Sequence, residues 1–76
     1  MESINAAAAQ LGSKAELVRV VNEFCERENI QHRITSQIVN NWIKAGKVPA
    51  WACPVLFRVT GIRCAEFNSS VRWDLV

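Results

Sequence analysis

Ser36, Gln37, Asn40, Asn41 and Lys44 are the residues of this 76-residue chain whose types and spacing point most directly to chemistry. They recur at i, i+3, i+4 and i+7 or i+8, so a helix would carry them on one side. Asn and Gln are mediocre helix formers, and local propensity does not explain their presence there. Each amide offers one donor and one acceptor, the pattern that complements N7 and N6 of adenine in a DNA major groove. Arg33 and Thr35 before the stretch, and Lys44 and Lys47 at its end, are placed to reach flanking phosphates. A neutral polar surface facing solvent would have the same composition, so the face alone leaves two readings open.

Other chemistries find little support. Cys25, Cys53 and Cys64 are odd in number and widely spaced, which fits neither a disulfide framework nor a paired C-x-x-C zinc motif. His32 would complete a set of four ligands, but no two of the four lie close enough in sequence to form half a site. They read as buried thiols, with no metal and no cofactor. One histidine, no nucleophile–base pair and no phosphate-binding glycine loop argue against an enzyme. RNA binding is weaker still, because Tyr is absent and the aromatics fall where a core needs them. Asn68-Ser69-Ser70 matches the glycosylation pattern but carries no weight without a secretory signal.

Charge separates along the chain. Residues 1–31 hold Glu2, Glu16, Glu23, Glu26 and Glu28 against Lys14, Arg19 and Arg27, whereas no acidic residue lies between Glu28 and Glu66. Arg33, Lys44, Lys47, Arg58 and Arg63 all fall in that interval, so the net charge of +2 averages an acidic start and a basic middle. A basic middle suits an anionic partner, nucleic acid being the commonest, or simply a solvated basic face.

The elements that must position these residues are helical. Ile4, Ala7, Ala8 and Leu11 recur at helical spacing until Gly12 stops them. Ser13-Lys14-Ala15-Glu16 reads as a capping box, in which Ser13 accepts from the Glu16 backbone and Glu16 reaches back. The helix it opens has Leu17, Val20, Val21, Phe24 and Glu28 in register, with Cys25 beside the stripe, and is expected to run to about Asn29, longer than its neighbours. Residues 30–33 read as a loop. Thr35 is the expected N-cap of a third helix, with Ile38, Val39, Trp42 and Ala45 on its apolar side and Gly46 at its end. Pro49 or Pro54 opens a fourth helix with Val55, Leu56 and Val59, which Gly61 stops. A short helical turn near Cys64 to Phe67 and an extended tail with Val71, Trp73 and Leu75 complete the chain. Trp42 reads as core; Trp51 either packs or lies exposed; Trp73 folds back or joins a dimer contact.

The expected architecture is one all-α domain over 1–76 with a short C-terminal tail. Apolar residues are 50% of the chain, enough for one modest core, and a domain of this size is of marginal stability. The longest uncharged apolar run, Val48 to Phe57, holds two prolines and is half of what a membrane span needs. With no signal-peptide pattern, the expectation is an intracellular, cytoplasmic protein.

The run Ile34-Thr35-Ser36-Gln37-Ile38-Val39-Asn40-Asn41-Trp42, followed by Gly46-Lys47-Val48-Pro49, Cys53-Pro54 and Thr60-Gly61, resembles the Cro/YdaS-like helix-turn-helix DNA-binding family of phages and prophages. Gly12-Ser13-Lys14-Ala15-Glu16-Leu17, Arg63-Cys64-Ala65-Glu66-Phe67 and Val71-Arg72-Trp73-Asp74 are similar to the family as well, so the resemblance spans almost the whole chain from Ile4. Two departures stand out: Asn68-Ser69-Ser70 replaces the family's common Arg-Pro-Asp, and roughly Val21 to His32 is extra relative to the shortest members.

The resemblance implies a lambda-repressor-like helix-turn-helix of four to five helices with a long second helix. It implies a sequence-specific regulator of transcription, a Cro-like repressor in a bacterial host, that places residues 36–45 in the major groove of an operator. Ser36, Gln37, Asn40 and Asn41 would read bases, and Arg33, Thr35, Lys44 and Lys47 would hold phosphates. Binding as a homodimer, through Phe67, Val71, Trp73 and Leu75 of the tail, is the expected assembly. The acidic segment would point away from the duplex. An antitoxin-like protein–protein interaction module is the alternative, favoured by the long acidic second helix and the apolar tail.

Overall fold

The fold is that of a computed structural model, which describes residues 2–75; the expected domain range of 1–76 extends one residue beyond them at each end. Five α-helices follow one another: α1 (Glu2–Leu11), α2 (Lys14–Arg27), α3 (Ser36–Ala45), α4 (Ala52–Thr60) and α5 (Cys64–Phe67), and then a 3-10 turn at Trp73–Leu75. Among the described residues there is no strand. The all-α reading is correct, and α2 is the longest helix at 14 residues.

The starts and stops are chemical. Ser13 is extended and its Oγ accepts the Glu16 N–H at 3.2 Å; Thr35 does the same for Ile38 N–H, also at 3.2 Å. Only half of the expected capping box forms, because the Glu16 carboxylate turns to Arg19 instead of back to Ser13. The guanidinium holds that carboxyl below the usual range. α3 and α4 end on Gly46 (φ 75°) and Gly61 (φ 79°), left-handed positions that a side chain would strain. α2 ends two residues before the expected Asn29, which itself sits at φ 58° and lets the chain leave the helix.

α4 begins at Ala52, so Pro54 stands in its first turn, where the missing N–H has no intrahelical partner to lose. The Pro49 carbonyl accepts from Ala52 N–H and makes the turn that leads in.

Ile4, Leu17, Val21, Leu56 and Phe67 are fully buried and form the centre of the core. α1 packs on α2, α4 and α5, and α2 packs on α1, α3 and α4. The main helical neighbour of α3 is α2 alone, so one flank of α3 is held and the other faces water. Val39 and Trp42 anchor the held flank; Ala45, expected to join them, is exposed in the last turn of α3 and lines a groove with Trp42 and Pro49.

The connection from Glu28 to Thr35 has no regular structure, and a side chain of α2 holds its far end. Asn22, in the middle of α2, donates from Nδ2 to Ile34 O at 2.9 Å and accepts from Ile34 N–H at Oδ1 at 2.8 Å. Both backbone groups of a residue only 3% exposed are thereby satisfied, and the residue just before the N-cap of α3 is tied to α2.

The tail departs from the extended form expected of it. Asn68 is 8% exposed; its Nδ2 donates to Val48 O at 2.8 Å and its Oδ1 accepts from Ser70 N–H and Oγ–H. The Asn68 carbonyl then accepts the Trp73 indole N–H at 2.7 Å, which curls the chain into the 3-10 turn and packs Trp73 on the core. Val71, Trp73 and Leu75 alternate over too few residues to hold a strand with no partner. Phe67 is core, so it is not available to a dimer contact as the folded chain stands.

Candidate nucleic-acid interface

α3 presents its polar side as the spacing requires. Ser36, Gln37, Asn41 and Lys44 are exposed and Asn40 is half-buried. Gln37 Nε2 donates to Asn41 Oδ1 at 3.1 Å, an i, i+4 pair that holds two amides side by side. Asn40 accepts at Oδ1 from Lys14 Nζ at 2.9 Å, across from the first residue of α2. Thr35 spends its oxygen lone pair on Ile38 N–H, and its hydroxyl proton remains free to donate.

The nine cations divide into three groups. Arg19 pairs with Glu16 and Glu23 along α2, Arg63 with Glu66, and Arg72 with Asp74. Six have no carboxylate partner among the described residues: Lys14, Arg33, Lys44 and Lys47 lie on or beside α3, while Arg27 and Arg58 lie over the Phe24 ring. Lys47 shares a shallow groove with Asn41, Pro49 and Asn68 at the C-terminal end of the helix. Arg33 lies at the N-terminal end but turns back, donating to His32 O at 2.8 Å and Ile30 O at 3.3 Å. Only Nη1 is engaged in these bonds, which leaves the Nη2 and Nε protons for another acceptor.

The sequence marked Asn68 only as part of a tripeptide that departs from the family, without the bonds that Asn68 makes, and it did not single out Lys14, Asn22 or the stack of His32 on Trp51. Those two rings lie 4.1 Å apart and 11° from parallel, with Trp42 edge-on to Trp51 at 6.3 Å. Trp51 is thus half-buried and packed, and His32 pins the middle of the α2–α3 connection to the start of α4. Lys14 carried one local signal: a cation at the first residue of a helix opposes the helix dipole. Asn22 carried another, as a poor helix former in mid-helix.

The thiols belong to the interior. Cys25 and Cys53 are buried, Cys64 is half-buried and all three are free. Burial pushes all three upward, Cys53 to about 11, which leaves them protonated and unreactive at neutral pH. Among the described residues no three His, Cys, Asp or Glu side chains gather as a metal site, and no helix is long and apolar enough to cross a membrane. The chain matches no protein-family model, no curated protein and no solved structure.

Proposed function

We propose that this chain is a sequence-specific double-stranded DNA-binding regulator, a Cro-like repressor of phage or prophage origin with a lambda-repressor-like helix-turn-helix. α2 is the scaffold helix and α3 the recognition helix, entering the major groove by its polar side. Gln37, Asn40, Asn41 and Ser36 read base edges; Lys44, Lys47, Thr35 and Arg33 hold phosphates and set the register. Repression is steric: the bound protein occupies a promoter, and no cofactor takes part.

One observation carries the reading. The free flank of α3 is an amide row bordered by cations with no carboxylate partner among the described residues, on a helix with no acidic residue. A solvated helix face ordinarily mixes Glu with Lys. The α2–α3 connection is longer than the three- or four-residue turn of the simplest such motifs. The Asn22 clamp supplies the fixity that a short turn otherwise gives.

In a homodimer on DNA, Phe67 is taken by the core, so the tail contact falls to Leu75, 75% exposed, with Val71 and Trp73 half-buried beside it. The second reading, an antitoxin-like module that binds another protein, draws on that same Leu75 and on Phe57, 44% exposed on α4. Selection from a randomised duplex pool decides between them. A DNA-binding regulator enriches a shared half-site whose binding falls steeply with salt, whereas an interaction module enriches nothing.

A further inference from the structure

We infer that Lys14 is a specificity-determining positioning residue, which fixes the Asn40 amide so that this point of α3 offers a hydrogen-bond donor to a base-edge acceptor. Guanine offers two such acceptors in the major groove, at O6 and N7, and thymine one, at O4; adenine N7 accepts as well, but it lies beside the N6 amino donor, which needs an acceptor in turn. The inference rests on the DNA-binding reading above and deepens it, since it names the class of base read at one position.

The geometry is specific. Lys14 Nζ lies 2.9 Å from Asn40 Oδ1, joining residues 26 apart in sequence. An ammonium has only donors, so the amide oxygen must face it and Nδ2 must take the other branch. The bond is charge-assisted and therefore stronger than a neutral one, and it polarises the amide toward donation. Reading adenine requires the reverse at Oδ1, namely acceptance of the N6 amino proton beside the positive charge. Lys14 has no carboxylate partner among the described residues, and its place at the positive end of α2 is unfavourable for a cation. Asn40 is the feature in its surroundings that accounts for where its charge points.

The neighbouring pair behaves differently. Gln37 and Asn41 are both neutral amides, and the hydrogen bond between them can run either way by flipping both. Whichever way it runs, one free donor and one free acceptor remain. That pair keeps an acceptor clear of any cation for the adenine amino group, whereas the lone pair left on Asn40 Oδ1 lies beside the Lys14 ammonium, which disfavours a second donor there.

Selection from a randomised duplex pool is run on the wild type, Lys14→Met, Lys14→Arg and Asn40→Ala, each shown to be folded by circular dichroism. Asn40→Ala identifies the position that Asn40 reads, as the one that loses its preference. The wild type is expected to take guanine or thymine there. Lys14→Met should shift that position toward adenine by ~10-fold in relative affinity and leave the others alone, while Lys14→Arg keeps the wild-type preference. Two results overturn the inference while leaving DNA reading intact. One is a wild type that already prefers adenine at that position. The other is a Lys14→Met variant with unchanged base preference and a salt slope reduced by about one unit, the mark of a plain phosphate contact. Absence of any enrichment by the wild type removes the DNA-binding reading itself, and this inference with it.

Discussion

Replacing Asn22 by Ala removes two hydrogen bonds at once and leaves both backbone groups of Ile34 without partners. The bonds are 2.9 and 2.8 Å long, and Ile34 is 3% exposed, so water replaces them poorly. A net hydrogen bond is worth about 1 kcal/mol, and an unsatisfied buried group costs about 1–3 kcal/mol. The loss of folding stability is therefore expected at about 2–3 kcal/mol. At about 0.05–0.15 kcal/mol per residue, a domain this size holds a total of roughly 4–11 kcal/mol, so the change is a large share of it. Urea unfolding followed by far-ultraviolet circular dichroism measures it, and thermal unfolding should fall by about 10–20 °C.

Asn22→Asp sharpens the test. A carboxylate can accept from Ile34 N–H but cannot donate to Ile34 O, which it repels instead. The repulsion raises the folded-state pKa of the new carboxyl above its unfolded value. The protonated acid can make both bonds, so its contribution is present below the unfolded pKa and is lost as pH rises through the folded one. Asn22→Asp should accordingly be most stable relative to wild type at acid pH and least so at neutral pH. A cost under about 0.5 kcal/mol for the Ala variant, which is ordinary for a surface change, would refute the clamp.

Gln37→Ala should weaken binding to the selected duplex by about 1–3 kcal/mol and relax preference at one position, read by competition titrations against single-base variants of that duplex. Lys47→Ala should weaken all sequences alike and lower the slope of log affinity against log salt by about one unit. The Cys53 thiol is buried and its folded pKa lies near 11, raised from 9.0 by desolvation, so the folded state holds the proton more tightly than the unfolded one. Its contribution is complete below pH 9, and stability falls as pH rises from there toward 11; Cys53→Ala should flatten that fall in thermal unfolding, in a chain with no tyrosine to confuse the titration. Asn68→Ala should free Trp73 from its carbonyl anchor as the tail turn opens, seen as a red shift in tryptophan emission.

What the sequence made legible is what chemistry writes locally. Ser13, Thr35, Gly46 and Gly61 mark helix ends by side-chain oxygens and by freedom at positive φ, and all four do so in the folded chain. The periods of Leu17 and Val21, and of Val39 and Trp42, found the buried flanks of α2 and α3, although Cys25, read as beside the stripe, is fully buried while Val20 and Phe24 are half-buried and Glu28 is exposed. Contacts between distant residues leave no such trace. Nothing in the spacing of Asn22 and Ile34, Lys14 and Asn40, or Asn68 and Val48 announces that they meet. The amide row of α3 was visible because it repeats along one helix. The device that orients one of its members was not, because it comes from another helix 26 residues away. The tail was misread as extended for the same reason: the Asn68 carbonyl captures the Trp73 indole, and a three-residue alternation cannot resist it.

Side-chain amide shifts give the most direct test of whether the free flank of α3 reads DNA. The duplex enriched from the randomised pool is titrated into isotope-labelled protein, and the NH₂ signals of Gln37, Asn40 and Asn41 are followed beside those of Gln10 and Asn22 as internal controls. The expected result is large shifts of the three α3 amides at stoichiometric duplex, with Gln10 and Asn22 still. A pool that yields no enriched duplex, or shifts confined to the Phe57 and Leu75 surface while the α3 amides stay in place, would contradict it.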